Sequence, residues 1–424
     1  MNFKQISSLS ILLLLLFSFL LQAQELERAT PEEVGISSKR IDRLTSILQS
    51  YVDQEKMSGA VALVARRNKI IYYDAVGKSD LESNRVMKED AIFRIASQTK
   101  AIVSVGIMIL QEEGKLLISD PLSKYIPEFK ESKVAVANDD GGYQIVKAKR
   151  EITLRDLLTH TAGIGYGQGI ASNLWEEAEI QGWYFAHRDE PVLETVKRMG
   201  ALPNDAQPGE QFVYGYNTDI LGAVIEVVSE KSLASFLQER ILDPLKMKDT
   251  HFYLPKEKVD RLATVYSSEK EGIKRAPDTG TMVSQGAYIK GPRRSYSGGA
   301  GLLSTAKDYA QFLQMMLNGG TFENHRILSR KSVELMTTDH LGAVSFPWTG
   351  GTGFGLGFSI ATDLGVRGQL GTIGEFGWGG AYHSTYWVDP IEELVVVYFT
   401  QLIPAQNIDD HEKLRTQVYQ AIID

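Results

Sequence analysis

The run AIFRIASQTKAIVSVGIMIL, Ala91 to Leu110, changes character in its middle. It begins as an apolar, strand-like stretch, and from Ala101 onward it is apolar on nearly every side, the pattern of a helix buried all round. Between the two lie Ser97 and Lys100, one helical turn apart. A buried lysine needs partners or a weaker hold on its proton. An amine held in a site that disfavours its charge takes the proton of a nearby serine hydroxyl and makes that serine a nucleophile. If Ser97 opens the helix, the free backbone amides and the dipole there favour developing negative charge. The plainer alternative is that Ser97 is a helix cap.

Outward from this junction the signals separate. Gly59–Gly77, GAVALVARRNKIIYYDAVG, is two β-branched runs around the break Arg66-Arg67-Asn68-Lys69, a hairpin signal. A second hairpin is expected near the other end, where Tyr382–Val388 and Leu394–Phe399 flank Asp389-Pro390-Ile391-Glu392. Helical signals fill the middle: Ala101–Glu113, Leu154–Leu158, Thr218–Ser229, Leu233–Ile241 and Ala306–Asn318, with a closing helix in Asp409–Ile423. Thr305 before Asp308 resembles a cap, and Asn217 or Thr218 is expected to cap the run ending at Ser229. The charged stretch Lys133–Arg150 reads as a surface excursion turning at Asp139-Asp140-Gly141-Gly142. The expected fold class is α+β. An antiparallel sheet is built from both chain ends (about 59–80 and 374–403) with flanking helices, and a mostly helical region is inserted at about 100–310. Ser97 then lies where sheet and insert meet.

At 424 residues and 43% hydrophobic content the chain can bury a large core. Residues 1–23 carry Lys4, a short apolar run from Ile11 to Leu21 and a small residue at Ala23, the form of a signal peptide; residues 24–424 are then the exported mature domain. The run is too short for a stable membrane anchor. Without cysteine the protein has no disulfide, no lipid-modified N-terminal cysteine and no thiol nucleophile. Loss of the leader removes one cation and takes the net charge from −8 to −9, with both signs interspersed, so nucleic acid is an unsuitable partner. S-x-x-K occurs three times, but Ser267/Lys270 lies in a polar loop and Ser304/Lys307 opens a helix, which leaves Ser97/Lys100 with apolar sequence on both sides. Seven histidines show no ligand pairing such as H-E-x-x-H, so neither metal nor cofactor is expected. G-x-S-x-G is absent.

Three further segments, LLTHTAGI (Leu157–Ile164), PGEQFVYGYNTDILGAVIEVVS (Pro208–Ser229) and FGWGGAYHSTYWVDP (Phe376–Pro390), make the chain resemble the serine β-lactamase and penicillin-binding-protein superfamily, nearest its class C and esterase branch. GGAGLLSTAKDYAQFLQMMLNGG, Gly298–Gly320, is similar in style. The resemblance implies that Ser97 attacks a carbonyl, Lys100 is the base and Tyr214 shares the proton. It also implies an oxyanion hole from the N–H groups of Ser97 and Ala381, and a substrate lying along Trp378, Gly379 and Gly380. Two features depart from the superfamily pattern: Tyr214-Gly215-Tyr216 displaces Asn217 from Tyr-x-Asn, and Trp378-Gly379-Gly380 stands where a lysine would begin the third motif. A cation there would hold a substrate carboxylate. Trp378 offers an apolar face instead, which favours a neutral small-molecule acyl substrate, an ester before an amide or lactam. A β-lactamase or D-amino-acid amidase on the same fold is the first alternative, and a non-catalytic binding protein the second. Oligomeric state is left open. His160 reads as a structural histidine. Tyr166, Trp175, Trp183 and Tyr184 form an aromatic cluster that is either core or pocket wall, and Phe346 and Trp348 are loop candidates.

Overall fold

A computed structural model of the protein describes residues 26–424; the expected leader lies outside the described residues. Nine strands form the main sheet. They are β1 (Glu27–Arg28), β2 (Gly59–Arg66), β3 (Lys69–Asp80), β4 (Arg85–Val86), β5 (Thr352–Phe354), β6 (Ser359–Ala361), β7 (Phe376–Gly380), β8 (Ser384–Asp389) and β9 (Leu394–Phe399). Their order is β1-β3-β2-β9-β8-β7-β6-β5, with β4 on β3, and every pair is antiparallel except β1 with β3. The fold is therefore α+β, and the two chain ends meet where β2 pairs β9, from Val61↔Phe399 to Arg66↔Leu394. Both hairpins form. Arg67 and Asn68 link β2 to β3 with positive φ of 51° and 61°, the twist a two-residue hairpin needs. At the other hairpin Asp389 Oδ1 accepts from Ile391 N (3.1 Å) and Glu392 N (3.2 Å).

β2 is apolar throughout because both of its faces are covered. Ala60, Ala62 and Val64 pack under α1 (Arg43–Asp53) and the closing helix, while Val61, Leu63 and Ala65 face the central helices. The central helices are α2 (Thr99–Glu112), α3 (Asn217–Ser229) and α4 (Ala306–Leu317); the closing helix is α5 (Asp410–Tyr419). α4 starts where Thr305 Oγ1 accepts from Asp308 N at 3.1 Å. α3 differs from expectation. Its cap position is Tyr216, with no side-chain cap, and Asn217 lies inside the helix. The Asn217 amide is diverted to the interior, donating to Ile164 O (3.2 Å) and Val213 O (3.1 Å) and meeting His160 Nδ1 (2.8 Å). The excursion at 133–150 is a hairpin of Lys133–Ala137 with Tyr143–Lys147, turning within the expected Asp139–Gly142 region. Among the described residues no helix is long and apolar enough to cross a membrane.

Leu63 is fully buried at the centre of β2, so Leu63→Ala is expected to cost about 2–5 kcal/mol in urea unfolding. Leu81→Ala, at a 38% exposed position, should stay within about 0.5 kcal/mol of the parent in the same measurement.

Candidate active site

The chain enters the site on a bend. Ala96 sits at φ +41°, a left-handed conformation that costs an L-residue energy, and Ala96–Gln98 form one tight helical turn ahead of α2. Packing holds that turn in place: Ile95 N donates to Leu302 O (3.1 Å), Tyr309 OH to Gln98 O (2.8 Å) and Leu302 N to Thr99 Oγ1 (3.0 Å). Ser97 is left half-buried, while Lys100, on the first turn of α2, is only 2% exposed.

Lys100 is the hub. Its Nζ lies 3.3 Å from Ser97 Oγ, 3.2 Å from Tyr166 OH and 2.7 Å from Gly299 O. The carbonyl can only accept, whereas each hydroxyl can give or receive a proton, so the amine joins two hydroxyls on one proton path. Its remaining side is apolar and π-rich, with the face of Tyr214 4.6 Å away. Behind it, the buried Asp219 Oδ1 accepts from Gly299 N (3.0 Å) and Ser297 Oγ (2.6 Å). Burial pushes the Asp219 carboxyl up and the Lys100 charge opposes that shift. Burial also raises the Tyr166 phenol far above its usual range, with Tyr214 and Asp219 adding to the effect. His160 is driven well below its ordinary range by burial and by Lys100, and its ring packs 4.6 Å from that of Tyr214, so it stays neutral as a structural wedge.

Tyr214 is half-buried just before α3, and its hydroxyl accepts from Trp378 Nε1 at 3.1 Å. The phenol that bonds Lys100 directly is Tyr166, from the aromatic cluster. Gly215 makes this pairing possible, since a Cβ there would fall 2.3 Å from Ile164 O and push the Tyr166 loop away. Of the same cluster, Trp175 is core, with its Nε1 on Pro203 O at 3.1 Å, and Trp183 packs against Tyr382. Phe346 and Trp348 join Phe212, Phe354, Tyr214 and Trp378 in one continuous aromatic wall. The Asp219–Ser297–Gly299 group was not singled out from sequence. Its signals were an acid inside the apolar run NTDILGAVIEVV and the Gly298-Gly299 pair.

β7 brings the third motif to the same place. β6 pairs only Phe376 and Gly377 of β7, so Trp378–Gly380 keep one free strand edge along which a substrate can lie. Gly380 touches the turn that carries Ser97: a Cβ there would come 2.6 Å from Ile95 O. Ala381 follows in an exposed turn, so its N–H and that of Ser97 are carried on abutting segments.

Among the described residues one cluster has metal-ligand composition, His383, Asp410 and His411. Its geometry is that of a brace. Asp410 already accepts from Tyr398 OH (2.6 Å) and pairs with His383 Nε2 (2.7 Å), and the two imidazoles stack at 4.1 Å. The brace ties the turn after Gly380 to the start of α5.

Residues 44–418 match the family described as Beta-lactamase. Protein Rv1367c of Mycobacterium tuberculosis is 33% identical over 381 residues, covering 87% of this chain and 92% of its own. Esterase EstB of Burkholderia gladioli is 30% identical over 371 residues, covering 84% and 89%. Among solved structures, EstCE1, a hydrolase with promiscuous acyltransferase activity, superposes with a TM-score of 0.76 at 26% identity, over 90% of this chain and 98% of that one.

The two glycines of the third motif separate contact from conformation. Gly380→Ala should slow fluorophosphonate labelling of Ser97 about 10²-fold by displacing the strand from the turn. Gly379→Ala, whose nearest neighbour would be Ser384 O at 3.2 Å, should slow it less than about tenfold.

Proposed function

The chain belongs to the Beta-lactamase family, and on that premise we propose that it is an exported carboxylic ester hydrolase working through an acyl-enzyme at Ser97. A serine hydrolase of the β-lactamase fold follows from the family match and the esterase relative; the ester substrate, the covalent intermediate and export are the proposal. The observation that carries it is Lys100 Nζ within reach of both Ser97 Oγ and Tyr166 OH, beside the free edge of β7.

Ser97 Oγ attacks the ester carbonyl carbon as its proton passes to the Lys100 amine. The tetrahedral oxyanion is held by the N–H groups of Ser97 and Ala381. Collapse breaks the bond to the alcohol oxygen, which takes the proton back through Lys100 and the phenol pair Tyr166/Tyr214. Water then enters by the reverse route and releases the acid. Trp378 supports a neutral substrate, because an indole that already donates to Tyr214 OH gives no charge to a carboxylate. The leader-like residues 1–23 support export.

A short-chain aryl ester should be hydrolysed with a burst, and Ser97→Ala should abolish it; unchanged turnover in that variant ends the proposal. Lys100→Ala and Tyr214→Phe should each lower kcat about 10²-fold or more. Tyr166→Phe should cost a similar factor if the proton uses its contact with Lys100, and a parental rate would leave the shuttle to Tyr214. The kcat/KM for the aryl ester should exceed that for a chromogenic cephalosporin or a D-alanyl amide, and the opposite order would favour the lactamase or amidase reading.

A further inference from the structure

At the same end of the sheet as Ser97 lies a separate cavity of about 610 Å³, whose lining includes neither Ser97, Lys100 nor Tyr214. Its charged walls are Arg85, Arg94, Arg275 and Lys290 against Asp80 and Asp278. That is a cationic excess of two in a chain whose net charge is −8. The acids are already engaged. Asp278 pairs with Arg275 at 2.6 Å, and Asp80 accepts from Thr264 Oγ1 (2.5 Å) and Ser83 N (2.7 Å).

Arg94 is the informative wall. It is 2% exposed, and its partners are neutral oxygens: Gln285 O (2.6 and 2.9 Å), Ala263 O (2.7 Å) and Gln401 Oε1 (3.2 Å). Four of the five guanidinium N–H groups are thereby used and one on Nη2 remains. Carbonyl dipoles solvate the cation without cancelling its charge, and a buried charge without a counter-ion is costly. Lys290, on the rim, is exposed and has no ion pair among the described residues. Arg85 donates from Nε to Ser79 Oγ and from Nη2 to Leu262 O, both at 2.8 Å. Small residues, Gly280, Gly286 and Ala287, keep the space between these groups open.

We propose that this cavity is a second binding site for a small anion of carboxylate or phosphate type, with Arg94 as the buried anchor and Lys290 as the rim contact. The anion would supply the missing counter-charge. Arg94 is also fixed to the sheet through its own backbone, N to Gln401 Oε1 and O from Gln401 Nε2, each at 3.1 Å, three residues ahead of Ser97. An ion held there stiffens the strand that leads into the nucleophile turn.

The purified protein, titrated with sodium succinate and with inorganic phosphate at constant ionic strength against chloride, should show a saturable rise in Tm and a calorimetric binding isotherm with at least one of them. The stronger of the two identifies the anion chemistry. Ser97→Ala should bind as the parent does, which separates this site from the hydrolytic centre and reads binding without turnover. Arg94 also holds the fold, so the rim carries the test: Lys290→Glu should weaken binding about tenfold or more while leaving the unliganded Tm unchanged. No saturable binding by either anion, equal affinity in Lys290→Glu, or loss of binding in Ser97→Ala would overturn the assignment.

Discussion

The amine of Lys100 has to be satisfied inside protein, and much of the site's construction answers that requirement. A lysine on the first turn of a helix apolar all round meets no water to speak of, so acceptors must be brought to it. One is local, Ser97 Oγ. The others come from residues 66 and 199 positions away, Tyr166 OH and Gly299 O. Each is itself fixed: the Gly299 peptide by Asp219, the Tyr166 loop by its contact with Gly215. The hydrogen-bond demand of one buried group therefore ties α2, α3 and the loop before α4 to one another around Ser97.

Backbone proximity supplies the other half of the construction. The sheet and the helical layer touch at Gly380 and Ile95, where no side chain fits, and the left-handed Ala96 turns Ser97 toward that seam. Strain at Ala96 persists because Tyr309 and Leu302 hold both sides of the turn. Farther out, the His383–Asp410 pair fixes the turn carrying Ala381 to the last helix. The segments carrying the Ser97 and Ala381 N–H groups are thus held by elements from opposite ends of the chain, as the proposed oxyanion hole requires.

Local signals were legible in sequence wherever the physics was local. The two hairpins, the cap at Thr305 and the buried helix after Ser97 follow from turn chemistry and periodicity over a few residues. Asn217 misled because a residue type favoured at helix caps was claimed by a tertiary partner, His160, that no local pattern reveals. Tyr166 was visible as one aromatic in a cluster, yet its bond to Lys100 depends on a glycine forty-nine residues later admitting its loop. Short strands β5 and β6, three residues each, carry too little alternation to be read, although they decide which part of β7 stays open.

The bond from Trp378 Nε1 to Tyr214 OH bears on more than substrate charge. A lysine at that position would stabilise negative charge at long range, on the substrate as well as on the phenol. An indole donor acts at contact only. It fixes the Tyr214 oxygen as an acceptor and so turns that oxygen's own proton away from Trp378. Under the proposed ester hydrolysis, an indole in place of a cation offers no charge to an anionic substrate. The surrounding wall of Phe212, Phe346, Trp348 and Phe354 takes the same direction, since apolar surface around a neutral carbonyl excludes water without demanding a counter-charge.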